Sequence, residues 1–237
     1  SKGLGKGCAL SLAREGATAL GTYSWTNVRP TVPFDPNMWA PRAGLQALEL
    51  RNELYVMGGR GPFGASTQLF GDVWKSADAG ATWTQVSSWQ PGNDDQAMWG
   101  PRAYFGAVTH RGRMFVIGGQ NFTTKPNPIW PAGCAGLPIE ICGPTVPDST
   151  FFDEVWSSTD GATWVPETRD APWEGRAGLS AVVHDGAIYV LGGSQGDDAA
   201  TGGTGRILFD DVWMSRDGRK WTEVVGQGPR WSPRAGA

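Results

Sequence analysis

The chain has 237 residues, with 20 Lys or Arg, 23 Asp or Glu and a net charge of −3 at pH 7. A composition this close to neutral lacks the basic surface that phosphate backbones require, so we expect no nucleic-acid partner. No apolar run approaches the ~18 residues of a membrane-spanning helix, so we expect no membrane span, while 13 Trp and 9 Phe supply the apolar area of a folded core.

The first 20 residues differ in pattern from the rest and are expected to form a separate segment. Glycines at positions 3, 5 and 7 precede an apolar helical period at 9, 10, 12 and 13, which predicts a short amino-terminal helix. This arrangement weakly resembles the nucleotide-binding turn of short-chain dehydrogenases. The strand that should precede the glycines is missing, so we expect no cofactor. A fusion remnant, a chance similarity and a helix packed on the edge of the following domain remain alternatives.

The rest of the chain, residues 21–237, is built on an internal repeat. Residues 41–59, 101–119 and 175–193 align without gaps, and 17 positions separate the opening residue from the first glycine of a Gly-Gly pair each time. A second block follows each of these, at 71–86, 153–167 and 210–224. Chance does not produce this spacing three times, so we expect three structurally equivalent units at about 40–86, 101–167 and 175–225.

The sequence pattern of each unit predicts four short strands. In the first unit these lie near residues 43–50 and 53–57, around Trp74 and around Trp83. Two-residue turns join the first strand to the second, and Asp-Gly pairs at 160–161 and 217–218 mark the turns between the third and fourth strands. A lone fourth strand at 23–28 precedes the units, and 233–236 open another. Four-stranded sheets repeated along a chain indicate an all-β fold of propeller blades.

These residues carry a family resemblance. The double glycine after an apolar strand (58–59, 118–119 and 192–193) and the later pair of tryptophans resemble the kelch repeat over roughly residues 40–237. The resemblance implies a kelch-type β-propeller of the galactose-oxidase-like superfamily, with three complete blades and partial blades at both ends. Because propellers close with four to eight blades, we expect further blades of a longer propeller or another cover for the open edges.

A catalytic constellation is not visible in the sequence. His110 and His184 occupy the same repeat position, which favours an architectural role over a metal site. The letters G-x-S-x-G at 192–196 lack the helix that a nucleophile elbow needs. We therefore expect no enzymatic activity, cofactor or metal, although a carboxylate pair for glycoside hydrolysis stays open because spatial pairing cannot be read from sequence.

A long insertion at 120–150 in the middle unit contains Cys134 and Cys142, which form a disulfide or remain two reduced thiols. It also contains the glycosylation sequon of Asn121. No signal peptide is visible, and the compartment stays open, with the cysteine pair and the sequon favouring an extracellular or secretory one.

Binding is expected on one face of the propeller, which we call the loop face. It collects the loops at 60–70, 120–152 and 194–207 and the connections at 87–100, 168–174 and 226–232, because strands alternate in direction. These segments vary in length while the repeat spacing stays fixed.

Two sets of loop-face residues are candidates for binding. The first is an arginine at the start of each unit, three residues after a tryptophan; the kelch resemblance implies that such arginines bind acidic peptides, and the alternative is that they hydrogen-bond the neighbouring blade's carbonyls while the tryptophans pack between blades. The second set is aromatic and lies outside the repeat positions. The candidates are Arg42, Arg102, Arg176, Arg234, Trp89, Phe122 and Trp130.

The leading hypothesis is a non-enzymatic scaffold that binds a protein or acidic peptide through the loop face. An extracellular glycan-binding or glycan-processing propeller is the first alternative, favoured by the tryptophans, the sequon, the cysteine pair and a turn at 76–83 that is similar to the Asp-box of sialidase-like propellers. A structural subunit of a larger assembly is the second.

Overall fold

The computed structural model describes residues 26–28, 38–63, 66–91, 98–122, 124–136, 142–147, 149–196, 207–226, 228 and 231–236. The chain divides into two compact units, Ser1–Thr31 and Val32–Ala237. In the first, only residues 26–28 are described, and they are irregular. The predicted amino-terminal helix and half of the strand predicted at 23–28 therefore lie outside the described residues. The predicted domain boundary at residue 20 stays a prediction.

Within Val32–Ala237, the first repeat unit forms an antiparallel four-stranded sheet in the order β1-β2-β5-β6. A two-stranded ribbon, β3-β4, lies between β2 and β5 in the chain. Both residues of the sheet's first turn, Arg51 and Asn52, have positive φ, as a type I′ hairpin requires. The strands are β1 (Gln46–Leu50), β2 (Glu53–Met57), β3 (Arg60–Phe63), β4 (Ser66–Leu69), β5 (Asp72–Ser76) and β6 (Thr84–Ser88).

The second sheet has the same order, β7-β8-β13-β14, and a longer insertion. Two ribbons, β9-β12 and β10-β11, lie within the insertion together with a 3₁₀ helix at Ala132–Cys134. The strands are β7 (Gly106–His110), β8 (Arg113–Ile117), β9 (Gln120–Asn121), β10 (Thr124–Pro126), β11 (Thr145–Pro147), β12 (Thr150–Phe151), β13 (Val155–Ser158) and β14 (Val165–Thr168).

The third sheet, β15-β16-β19-β20, is again antiparallel, with the ribbon β17-β18 in its loop. Its strands are β15 (Ser180–His184), β16 (Ala187–Leu191), β17 (Ser194–Gln195), β18 (Ile207–Leu208), β19 (Val212–Ser215) and β20 (Thr222–Glu223). The prediction of three four-stranded units in an all-β fold is confirmed. The described sheets do not close into a ring.

The core lies between neighbouring sheets, whose first strands β1, β7 and β15 are adjacent. Met114 and Val116 of β8 pack toward the first sheet, while Phe115 and Ile117 pack toward the third. This follows from the period of two in a strand, which sends alternate side chains to opposite faces. Because both faces of β8 are covered, its residues 114–117 are all apolar.

Backbone hydrogen bonds join the start of each repeat to the next. The amide of Tyr104 donates to the carbonyl of Gly44 (2.9 Å), Gly178 to Tyr104 (2.7 Å) and Gly236 to Gly178 (2.9 Å). The segment 231–236 thus docks on the third sheet as residues 173–178 dock on the second. The partial unit predicted at 233–236 has the geometry of a repeat beginning.

Candidate functional site

Three of the four predicted arginines are buried in the chain's own ion pairs. The side chains of Arg42, Arg102 and Arg176 are 1% exposed or less. Arg42 donates to both carboxylate oxygens of Asp72 (2.5 and 3.1 Å), and Arg176 likewise to Asp211 (2.5 and 2.9 Å). Arg102 pairs with Glu154.

Each of these arginines also bonds a carbonyl of its own unit and lies over a phenylalanine. Nη1 donates to the carbonyls of Gly58 (3.0 Å), Gly118 (3.1 Å) and Gly192 (3.0 Å). The guanidinium carbon lies 3.7–4.0 Å from the ring centre of Phe70, Phe152 or Phe209. We call this recurring set of Arg, Phe and acidic residue the arginine clamp. Its three copies are Arg42–Phe70–Asp72, Arg102–Phe152–Glu154 and Arg176–Phe209–Asp211.

The clamp favours the architectural alternative for these three arginines. Their guanidinium groups are already paired and covered, so they offer no fork to a partner's carboxylate. The carbonyls that they bond lie in the same unit, not in the neighbouring blade as the alternative supposed. The tryptophans three residues earlier stack edge-on against the fourth-strand tryptophan of the same unit. These pairs are Trp39–Trp83, Trp99–Trp164 and Trp173–Trp221, with ring centres 5.7–6.1 Å apart.

Arg234 differs from the other three because it is exposed. Its Nε donates to the carbonyl of Ser232 (3.0 Å) and its Nη2 to the hydroxyl of the same residue (3.0 Å). Its role in binding stays a prediction.

The carboxylate of Asp211, in the third copy of the clamp, is held ionised by its surroundings. Burial raises the pKa of Asp211, but the hydrogen bonds from Arg176 and Trp213 lower it by a larger amount, so the pKa lies below its usual range. Burial also lowers the pKa of Arg102, against the opposing effect of Glu154. The carboxylate of Asp211 thus keeps its charge beside Arg176, and Glu154 supports the charge of Arg102 against burial, which is typical of buried ion pairs.

The insertion of the second unit forms a braced loop. Cys134 and Cys142 are joined by a disulfide with their Cα atoms 5.4 Å apart. The buried side chain of Asn127 donates to the carbonyl of Gly143 (2.8 Å) and accepts from the amide of Ile129 (3.2 Å). These contacts hold the loop against itself. The brace leaves Ile129 54% and Trp130 42% exposed.

The other two aromatic candidates are half-buried. The amide of Trp89 donates to the carbonyl of Gly71 (2.7 Å). A Cβ atom on Gly71 would lie 2.9 Å from the Cβ of Trp89. Phe122 lies 6.2 Å from the ring of Tyr104, edge to face. Asn121, the residue of the sequon, ends β9 and is also half-buried. The roles of these residues in binding stay predictions.

A cluster that the sequence did not indicate joins the first and second units. Nε of Arg60 donates to the hydroxyl of Tyr104 (2.9 Å), and its guanidinium carbon lies 5.5 Å from the ring centre of Tyr104 and 5.4 Å from that of Phe122. We call Arg60, Tyr104 and Phe122 the Arg–Tyr–Phe cluster. The one available signal was Tyr104 itself, which stands where the first and third units have glycine.

The histidines do not form a site together. His110 is buried, with Nε2 3.1 Å from the carbonyl oxygen of Arg216, whereas His184 is exposed in a different sheet. Within the described ranges, no group of three or more His, Cys, Asp or Glu side chains is placed to hold a metal ion. The same part of the chain contains no helix with the length and apolarity to cross a membrane.

Known proteins share this repeat. Models of the kelch motif match residues 101–128, in the second unit, and 175–226, in the third. Among the solved structures that match is that of YjhT, with a TM-score of 0.54 and 20% sequence identity; the alignment covers 82% of this chain and 54% of YjhT. The chain thus spans about half of that protein, and the likeness shows the fold alone. No curated protein matches the chain.

Proposed function

We propose that the chain is a non-enzymatic module that binds a protein or peptide on its loop face, because its second and third units match the kelch motif and its fold is that of a β-propeller. Kelch repeats form propeller domains that commonly mediate protein interactions. The proposal adds the surface, and one loop of that surface carries it.

The observation behind the proposal is the braced loop with Ile129 and Trp130 exposed at its surface. Removing a large apolar side chain from water lowers the free energy, and tryptophan is enriched among the residues that dominate binding energy at interfaces. The disulfide and Asn127 order this loop before any partner arrives, which lowers the entropy cost of binding. A surface of this kind suits an apolar side chain of a partner polypeptide.

A selection with synthetic octapeptide libraries tests this function, with the full chain as bait. We expect selected peptides to lose at least tenfold in affinity for Trp130→Ala, because that substitution removes the largest exposed ring. The matched control is Val165→Ala, which truncates a side chain that is 45% exposed near the opposite face. Failure to select any peptide, or equal effects of the two substitutions, would contradict the proposal.

Glycan binding is the second candidate, and the exposed ring of Trp130 is the observation that favours it, since a flat aromatic face also packs against sugars. The turn at 76–83 does not add to it: Asp78 and Ser76 bond within the turn. A glycan array with hits that disappear in Trp130→Ala would replace the peptide proposal by this one.

A further inference from the structure

We propose that the Arg–Tyr–Phe cluster is a carboxylate-binding site on the loop face, and that it recognises an acidic group of the peptide partner. This inference rests on the proposed function and names the chemistry of its ligand. It assigns that chemistry to Arg60 and not to the buried arginines of the clamp.

The charge of Arg60 distinguishes it from the other arginines of this surface. Arg42, Arg102 and Arg176 each have a carboxylate partner, whereas Arg60, which is half-buried, has no ion pair among the described residues. A guanidinium removed from part of its water gains most from an anion that replaces it. The position therefore favours a negatively charged ligand.

The surroundings of Arg60 orient its guanidinium. The Tyr104 hydroxyl accepts from Nε at 2.9 Å, and the rings of Tyr104 and Phe122 both lie within 6 Å of the guanidinium carbon, the range of a cation–π contact. Nε is thus occupied, and among the described residues no acceptor engages the two Nη atoms. These two nitrogens form the fork that bonds both oxygens of a carboxylate.

Tyr104 adopts a backbone conformation that the repeat otherwise gives to glycine. Its φ is +58°, and the equivalent residues Gly44, Gly178 and Gly236 have φ of +64°, +61° and +76°. A bulky side chain in this region is strained, and such strain is concentrated at functional sites. Gly44 in turn leaves room for the ring, because a Cβ on it would lie 2.8 Å from two ring carbons of Tyr104. A residue that the fold does not require is thus accommodated where it holds Arg60.

Two octapeptide libraries test the inference with the full chain as bait, one amidated at the carboxyl terminus and one with that terminus free. Selected peptides with Asp or Glu in the amidated library would assign the site to a side-chain carboxylate. Peptides from the free-terminus library alone would assign it to a terminal carboxylate. In either case we expect Arg60→Ala to lower the affinity at least tenfold, and replacement of the peptide's carboxylate by an amide to lower it as much.

Three further variants separate recognition from folding. Tyr104→Gly installs the residue of the other units, so we expect it to fold and to lose binding. Arg60→Lys keeps the charge but removes the fork, so it should restore only part of the affinity. Arg216→Ala, at an exposed turn of the opposite face, removes the same charge and should change the affinity less than twofold.

The outcomes distinguish this inference from the function on which it rests. Peptides that bind tightly but tolerate Arg60→Ala, or that need no carboxylate, would overturn the carboxylate site and leave the peptide-binding function standing. Failure of both libraries to yield a peptide would overturn both.

Discussion

At the scale of single residues, the acidic member of the arginine clamp decides whether the tryptophan two residues later has a hydrogen-bond partner. Asp72 and Asp211 each accept a hydrogen bond from an indole nitrogen, of Trp74 and Trp213, at 2.8 Å. The second unit has Glu154 at this position, and Trp156 Nε1 is buried without a partner among the described residues. The added methylene group thus accompanies the loss of one bond to a buried donor.

Glu154→Asp is therefore expected to stabilise the protein. The shorter carboxylate can adopt the position of Asp72 and accept from both Arg102 and Trp156, which is worth about 1 kcal/mol in free energy of unfolding. For a domain of this size that corresponds to a rise of about 2–4 °C in Tm, measured by circular dichroism. Asp211→Glu is the matched control and should lower the Tm. A lower Tm for Glu154→Asp would contradict this account of the clamp.

The sequence predicted the arginines of the clamp as a set but did not predict their partners. The repeat spacing placed Arg42, Arg102 and Arg176 at equivalent positions. Their carboxylate partners follow 30, 52 and 35 residues later, because the intervening loops differ in length. An ion pair of that separation has no local signal, so both a binding role and an architectural role fitted the sequence.

At the scale of elements, the turn between the third and fourth strands is held by one aspartate in each unit. Asp160 and Asp217 each accept from two backbone amides and a serine hydroxyl. The corresponding turn of the first unit is one residue longer, and its Ala79 has a φ of +56°. Asp78 of this turn accepts hydrogen bonds from Thr82 and Ser76. In all three turns the indole of the following tryptophan donates to the glycine carbonyl at 3.0–3.1 Å. The Asp-box similarity therefore describes a structural turn.

The turn between the third and fourth strands of the first unit is expected to lower the free energy of unfolding in acid, through Asp78. Hydrogen bonds from Thr82 and Ser76 lower the pKa of Asp78 to about 2, below the ~3.9 of aspartate in an unfolded chain. The unfolded chain binds this proton more readily, so the stabilisation is complete above about pH 4 and is lost as the pH falls toward 2. Urea denaturation of Asp78→Asn should show a weaker loss between these values than the unsubstituted protein. Asp185→Asn, in an exposed turn, is the control, and an equal loss in Asp78→Asn and the unsubstituted protein would contradict the assignment.

The elements themselves were largely predictable because their signals are local. Alternation within each strand and the turn residues at 51–52, 160–161 and 217–218 lie within a few positions of the structure that they determine. The ribbons of the insertion were not predicted. Thr124 pairs with Pro147 and Gln120 with Phe151, across a segment without a repeat to indicate register.

At the scale of the whole repeat array, charges and backbone bonds hold the sheets together. Glu167 of β14 is buried between Arg113 of its own sheet and Arg219 of the third. Burial raises its pKa, but hydrogen bonds from Ser157 and Arg219 and the charge of Arg113 lower it more. Ser87 of the first sheet donates to the carbonyl of Gly161 in the second (2.8 Å). The loop face thus rests on sheets that are joined across both interfaces.

If the proposed function is right, a partner binds on the loop face alone. Hydrogen exchange of the full chain, measured by mass spectrometry with and without a selected octapeptide, tests this claim most directly. We predict slower exchange at residues 60–63, 102–104, 120–122 and 128–136, with no change at the turns 51–52, 111–112 and 185–186. Protection confined to those turns, on the opposite face, would contradict the claim.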